Sequence, residues 1–377
     1  MSIIKTFFKE LFAKPQIKIF LLTLFWLCVA YAFAYVVNWV QFARLPSIND
    51  YVTSFARGDT GGYLDIAKNG YQTVGDAALN LVFYPLYPIA IKAFSFLFVD
   101  FQLSGFMVTI VSIFISTQFF SKLVKIDYSN KVAFYAISSM LLFPFSIFML
   151  TFQTESFFIM LSIVTAYQAR KGNWILAGLF GFLTALTRTQ GLLIFILVIY
   201  ELIYQSYRSK KWTLKGLAIL FIPMGTGVYL IINKVLYNNF FQFLVFQEKN
   251  WHQQPSTFWA SLCTSFNYSQ MPDWHLQNYL IFIPQIILFF FTIVVLLYGL
   301  KKKVRTSYII YSLAFLIYSY SPSWLLSGGR YLSCLFPLFI IFGVFAEREH
   351  RKFALMLTTI LLFTFFGIAY LCNFGIW

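Results

Sequence analysis

The sequence predicts an all-α polytopic membrane protein, and three observations carry that prediction. Of the 377 residues, 60% are hydrophobic and only 11% are charged, with a mean hydropathy of +0.74. Soluble domains carry roughly 25% charged residues, so this chain lacks the polar surface to cover a water-soluble body of its size. Its apolar residues fall in long, often continuous runs such as 281–300 and 353–372. A helix needs about 20 apolar residues to span a bilayer, whereas barrel strands alternate over about 10. Hydrocarbon offers no water to backbone N–H and C=O groups, which leaves helices or closed barrels, and the run length selects helices.

The formal net charge is +15. With spanning helices in place, that excess reads as basic loops against anionic headgroups, not as a nucleic-acid surface. Cys28, Cys263, Cys334 and Cys372 form no CxxC pair, and His252, His275 and His350 show no metal-ligand spacing. Neither a disulfide framework nor a structural metal is indicated. No cofactor is expected, with a divalent metal held between Asp59 and Asp65 as the alternative.

The candidate spans are 19–40, 82–99, 103–121, 132–151, 155–169, 174–187, 190–204, 216–236, 279–300, 307–320, 331–346 and 353–372. The run 19–40 is too long for the apolar core of a signal peptide and reads as an uncleaved first span. Orientation follows from Lys and Arg in short loops. The clusters are Lys5/Lys9/Lys14/Lys18, Lys122/Lys125/Lys131, Arg170/Lys171, Arg208/Lys210/Lys211/Lys215, Lys301/Lys302/Lys303/Arg305 and Arg348/Arg351/Lys352. All six can face the cytoplasm only if one early segment does not cross. The segment 82–99 is that one, since Pro85 and Pro88 break its start and Lys92 interrupts it. Eleven full crossings result, within a range of 11–13, in a single membrane domain over 1–377.

Two long polar stretches, 42–80 and 237–278, then fall outside the cytoplasm. The first is too long for an ordinary connection. Tyr63, Ile66, Ala67 and Tyr71 share one face of a short surface helix there, with Gly58, Gly61 and Gly62 as its lead-in.

The unusual polar residues converge on that same outer face: Asp59 and Asp65 in the first loop, Glu155 at the outer end of one span, Arg188 and Arg330 at breaks in two others. Ionisable residues at membrane depth are costly and point to function. A loop acid before a helix also serves as a cap, and an interfacial Arg also snorkels to headgroups.

The string Arg57-Gly58-Asp59-Thr60-Gly61-Gly62-Tyr63-Leu64-Asp65 with Gly70-Tyr71, followed by Val82-Phe83-Tyr84-Pro85-Leu86-Tyr87-Pro88, resembles the first-loop motifs of the PIG-V-like mannosyltransferases. That family is a branch of the GT-C glycosyltransferases. Thr154-Glu155-Ser156, Thr187-Arg188-Thr189-Gln190-Gly191, and Gly329-Arg330-Tyr331 with Phe336-Pro337-Leu338 are similar to later family elements, in the same order. The chain departs from the pattern at Gly58 and Gly62, where the family has Trp, and at Thr189, where it has Pro.

The resemblance implies a hexose, with mannose as the family's sugar, carried on polyprenyl phosphate and transferred at the extracytoplasmic face to a glycan or glycolipid. Asp59 would be the general base, because an acceptor hydroxyl needs a group to take its proton. Arg188 and Arg330 would hold the phosphate leaving group. Arg57, Tyr63, Asp65, Tyr71, Tyr84, Tyr87, Glu155 and Tyr331 would complete the substrate site, and direct displacement would invert the anomeric centre. A lipid-linked glycan transporter or flippase, and a polysaccharide polymerase or ligase, stand as alternatives. The bias toward Phe, Ile, Lys, Asn and Tyr is that of an AT-rich bacterial genome, which points to a plasma membrane.

Overall fold

The computed structural model describes residues 14–376; Lys5 and Lys9 of the first basic cluster lie outside them. The bundle opens with α1 (Pro15–Phe42), whose Pro sits in the first turn, where an N–H would go unpaired in any case. The first long loop carries α2 (Ile48–Phe55) and α3 (Thr60–Asn69), followed by α4 (Leu86–Phe98) and α5 (Phe101–Val124). Next come α6 (Asn130–Leu141), α7 (Glu155–Arg170), α8 (Trp174–Ala185), α9 (Ile194–Ser209) and α10 (Phe221–Tyr237). The second long loop holds α11 (Gln242–Trp251) and α12 (Phe258–Ser269). The chain closes with α13 (Ile283–Lys301), α14 (Thr306–Ser319), α15 (Gly328–Ser333), α16 (Phe336–Phe345) and α17 (Glu349–Leu371).

Among the described residues, six helical segments are long and apolar enough to cross a membrane, while α8, α14 and α16 are apolar but shorter. Contacts sort the helix ends into two groups. Gln118 donates to the Gln16 carbonyl at 3.1 Å and Thr23 to Thr117 at 2.9 Å, so the end of α5 lies beside the start of α1. Lys131 pairs with Glu349 at 2.9 Å, Arg170 with Asp127 at 2.6 Å and Arg305 with Glu201 at 2.7 Å. The Arg305 guanidinium also lies over the Tyr204 ring, which brings in the 208–215 cluster. The basic clusters thus gather at one end of the bundle. Asp59, Glu155, Arg188, Arg330 and Tyr370 gather at the other.

Glu201 was not singled out by the sequence reading, although it lies in an apolar helix. It is fully buried and accepts from Arg305 Nε and Nη2 (2.8 and 2.7 Å), Ser307 and Gln205. A buried carboxylate is tolerable only when paired and hydrogen-bonded, and here it clamps α9 to α14.

The segment 82–99 does not run between the ends. The short helix Asp76–Val82 and α4 are bent by 109°. Tyr87 packs with Val108, and Ile91 meets Gly105, so α4 is antiparallel to the first half of α5. Since α5 descends toward the basic end, α4 rises back toward the site end.

Small residues set the helix spacing, as expected where lipid gives helices no hydrophobic reason to associate. A Cβ on Gly178 would stand 2.0 Å from the Ala218 carbonyl oxygen, and one on Gly225 2.3 Å from that of Phe182. These contacts let the α10 segment lie against α8.

The first loop is well built. Ser47 and Asp50 form a capping box on α2, and Tyr63, Ile66 and Ala67 form the buried face of α3. The lead-in expectation is corrected in part: Gly61 and Gly62 belong to the first turn of α3, and only Gly58, at φ 59°, lies before it.

Candidate active site

The breaks in the helices place the site residues. Arg188 lies in extended backbone between α8 and the turn Thr189–Leu193, and the Leu86 N–H donates to the Leu186 carbonyl at 3.2 Å, tying the Tyr84-Pro85 turn to that break. Glu155 is the first residue of α7, where the helix dipole favours a carboxylate. Arg330 comes from α15, which two glycines bring close to its neighbours. A Cβ on Gly329 would lie 2.5 Å from the Phe145 ring, and one on Gly328 2.9 Å from the Tyr320 hydroxyl.

These three residues and Asp59 form one ionic cluster. Glu155 is fully buried, and its Oε1 accepts from Arg188 Nη1 at 2.7 Å and Arg330 Nε at 2.5 Å. Arg330 Nη1 continues to Asp59 Oδ2 at 2.8 Å. The arginine side chains are 10% and 8% exposed and that of Asp59 is 31% exposed, so Asp59 is the carboxylate that solvent or a ligand can reach. Arg188 does not snorkel outward. Its guanidinium lies 5.2 Å from the Tyr331 ring centroid and 5.8 Å from that of Phe158, and Arg330 lies over Phe148 at 5.5 Å. Asp59 stands at the N-cap of α3 with no side-chain cap bond, so its carboxylate serves Arg330 and not the helix end.

Arg57 donates to the Tyr370 carbonyl at 2.5 Å, and Gln153 donates to the Arg57 carbonyl at 2.8 Å. Burial lowers the Arg57 guanidinium from its ordinary value, and the guanidinium keeps its charge. Burial, with the Asp59 charge adding to it, pushes the Tyr63 phenol upward, so it remains a neutral group.

A cavity of about 1180 Å³ opens on the cluster, lined among others by Arg57, Asp59, Tyr63, Tyr84, Arg188, Arg330 and Tyr331. Three guanidinium groups there face two carboxylates, counting the buried Glu155, which leaves one positive charge. Of the residues expected to complete the site, Glu155 lies behind the lining, bonded to Arg188 and Arg330, and Asp65, Tyr71 and Tyr87 do not line this cavity. Asp65 accepts from Asn69 and Asn80 (2.7 and 2.8 Å), Tyr71 donates to the Phe83 carbonyl at 2.5 Å, and Tyr87 is buried against Tyr63 and Phe157. Asp65, Tyr71 and Tyr87 hold the loop that carries Asp59. Tyr84 lines the cavity while stacked on Tyr229 at 3.8 Å. Among the described residues, no three His, Cys, Asp or Glu side chains converge as metal ligands.

The two Trp-to-Gly departures have steric reasons. Gly58 takes a left-handed φ of 59°, which a Trp side chain disfavours. A Cβ on Gly62 would lie 2.3 Å from the Phe83 ring and 2.9 Å from Asn80 Oδ1, so Phe83 occupies that space. The sequence reading missed Gln190, Gln247, Asn250, Gln253 and Trp324, which also line the cavity. Neutral amides carry no charge signal; Gln247, Asn250 and Gln253 were hinted at only by their place in the second loop beside Trp251 and His252, and Gln190 only by its place in the Thr187–Gly191 motif.

In comparisons with known proteins, no family model and no curated protein matches the chain. Solved structures do match in fold. ArnT from Cupriavidus metallidurans bound to undecaprenyl phosphate superposes with a TM-score of 0.53 at 13% identity, over 92% of this chain and 77% of that one. ArnT from Cupriavidus metallidurans in the apo state gives 0.51 at 15% identity, over 88% of this chain and 62% of that one, so the chain spans less than two thirds of that second structure. At these identities the likeness is one of fold, and the chain is an all-helical membrane protein whose helices are arranged as in those structures.

Proposed function

We propose that the chain is a glycosyltransferase that moves a hexose, with mannose as the first candidate, from a polyprenyl-phosphate carrier to a glycan or glycolipid at the extracytoplasmic face. The observation that carries this reading is the Asp59–Arg330–Glu155–Arg188 cluster. It puts one reachable carboxylate beside two buried guanidiniums in the wall of a cavity with excess positive charge. The fold likeness to a protein whose structure holds undecaprenyl phosphate supports the choice of donor.

In this reading Arg188 and Arg330 take the phosphate of the donor, and they stay charged at any working pH. Glu155 fixes both guanidiniums from behind, so little freedom is lost when the phosphate arrives. The phosphate competes with Asp59 for Arg330, which leaves the Asp59 carboxylate available to the acceptor hydroxyl. Asp59 takes the hydroxyl proton as the acceptor oxygen attacks the anomeric carbon, and the carrier phosphate departs with the bonding electrons. A single displacement of this kind inverts the anomeric centre. The basic clusters at the far end of the bundle support a cytoplasmic position for that end, with the cavity outside. The compositional bias favours a bacterial plasma membrane, with undecaprenyl phosphate as the carrier.

Radiolabelled polyprenyl-phosphate hexoses and a membrane glycolipid extract, supplied to purified protein and to Asp59→Asn, test the proposal. Label should move to the extract with the wild type and fall at least about a hundredfold with the variant, the range of a general base. Transfer that persists in Asp59→Asn removes Asp59 from the role of base. Donor binding that survives the substitution, without transfer from any donor by the wild type, favours a transporter.

A further inference from the structure

The cavity has two chemically different walls. All four of its Arg and Asp side chains lie on Arg57, Asp59, Arg188 and Arg330. The portion from 247–277 and 323–327 contributes, among the described residues, no carboxylate, Lys or Arg to the lining; it offers amides (Gln247, Asn250, Gln253), hydroxyls and the indoles of Trp251 and Trp324. Among the described residues, His252 is its one imidazole. The charged residues of that loop point elsewhere: Glu248 accepts from Gln254, and Lys249 is exposed and does not line the cavity.

This second wall is held in place. The Ser256 N–H donates to the Ser321 carbonyl and the Ser323 N–H to that of Gln254, both at 2.9 Å, around an antiparallel bridge between Pro255 and Pro322. Gln253 donates to the Trp324 carbonyl at 2.9 Å, and Tyr268 meets the Trp324 ring edge-on at 4.4 Å. The segment it docks on runs directly into Arg330. A fixed wall of amides and indoles suits a polyhydroxylated neutral ligand. Amides donate and accept, matching sugar hydroxyls, and flat rings take the apolar face of a pyranose. Among the described residues it supplies no Lys or Arg to pair with an acidic sugar, so it offers an anion hydrogen bonds without a countercharge.

We infer that the wall built by 247–253 and 323–327 is the acceptor subsite and that it takes an uncharged glycan. The inference rests on the transfer reading, in which the arginine-bearing part of the lining holds the phosphate of the donor. It narrows the acceptor to a neutral sugar chain and separates its recognition from that of the carrier.

Calorimetric titration of the detergent-purified full chain tests it with four probes: mannotriose, maltotriose and chitotriose as neutral glycans, and trigalacturonate as an acidic one. At least one neutral trisaccharide should bind, and trigalacturonate should bind more weakly. Trp251→Ala and, separately, Gln247→Ala should weaken the neutral probe about tenfold, a change of about 1.4 kcal/mol. Arg188→Gln should leave it within about threefold, a change of about 0.7 kcal/mol, while abolishing binding of farnesyl phosphate. Preference for the acidic probe, indifference to both wall substitutions, or failure of all three neutral probes would overturn the inference. Failure of farnesyl phosphate to bind the wild type would sink the transfer reading, and the trisaccharide titrations would still decide the wall.

Discussion

Asp59 and Arg330 stand 271 residues apart in the chain and meet at 2.8 Å. Arg330 reaches Asp59 through Nη1 and Glu155 through Nε, using two nitrogens of one planar group. Lysine has a single point of charge and cannot make both contacts in that geometry. Arg330→Lys should therefore fail to rescue what Arg330→Gln loses. Both variants should lower transfer by about a hundredfold, the scale of one lost oriented donor at a developing charge. Wild-type turnover by the lysine variant, measured beside farnesyl phosphate affinity, would remove the two-nitrogen geometry from the mechanism.

Glu155 is predicted to be the structural keystone of the cluster. It is fully buried and serves two arginines whose side chains are about one-tenth exposed. Glu155→Gln keeps the shape and removes the charge, leaving two buried guanidiniums to face each other. Breaking a buried pair in this way costs about 3–5 kcal/mol. Thermal unfolding in detergent should show that loss, and Glu155→Gln/Arg188→Gln should recover part of it, since the two effects are coupled. A Glu155→Gln protein that unfolds with the wild type would assign the pair no weight in stability.

The helices and their two ends were legible in the sequence because run length and Lys/Arg position are local signals. Charge parity pointed to an irregularity at 82–99, and Pro85 stands at the 109° bend between Asp76–Val82 and α4. The residue types at the site were legible for the same reason, since Arg188 and Arg330 interrupt apolar runs. Their partners were not. Arg330 and Glu155 are 175 residues apart, and no spacing rule reaches across helices in that way. Tyr87 shares an aromatic motif with Tyr84 in sequence, yet only Tyr84 lines the cavity, because the turn at Pro85 lies between the two rings; Tyr71, 13 residues before Tyr84, is instead bonded to the Phe83 carbonyl. Glu201 escaped notice because its arginines come from other helices.

Gly61 and Gly62 are neighbours in the first turn of α3 and should respond oppositely to substitution. A Cβ on Gly61 meets nothing within 4 Å, whereas one on Gly62 runs into the Phe83 ring. Gly61→Ala should be neutral or stabilising by up to about 1 kcal/mol, the helical advantage of Ala over Gly. Gly62→Ala should destabilise by about 1–3 kcal/mol through overpacking and lower transfer as well, because Phe83 backs the Asp59 loop. Melting temperatures and transfer rates of the pair check this, and equal behaviour of the two would contradict the packing described at Phe83.

Arg305→Ala should separate stability from function. Arg305 holds Glu201 through two nitrogens at the basic end, far from the cavity. The guanidinium is 21% exposed, but Glu201 is completely buried. Removing the arginine strands a carboxylate whose remaining donors are Ser307 and Gln205, with Arg170 at 3.7 Å. The cost should lie near 3 kcal/mol, the lower end for a broken buried pair, because Arg170 supplies part of the missing charge. Glu201→Gln/Arg305→Ala should be milder, since a neutral amide tolerates the site better than an unpaired carboxylate. Farnesyl phosphate affinity should stay unchanged in both variants below their melting temperatures. A loss of affinity there would mean that the two ends of the bundle are coupled, and the clamp at Glu201 would then have to be counted as part of the site.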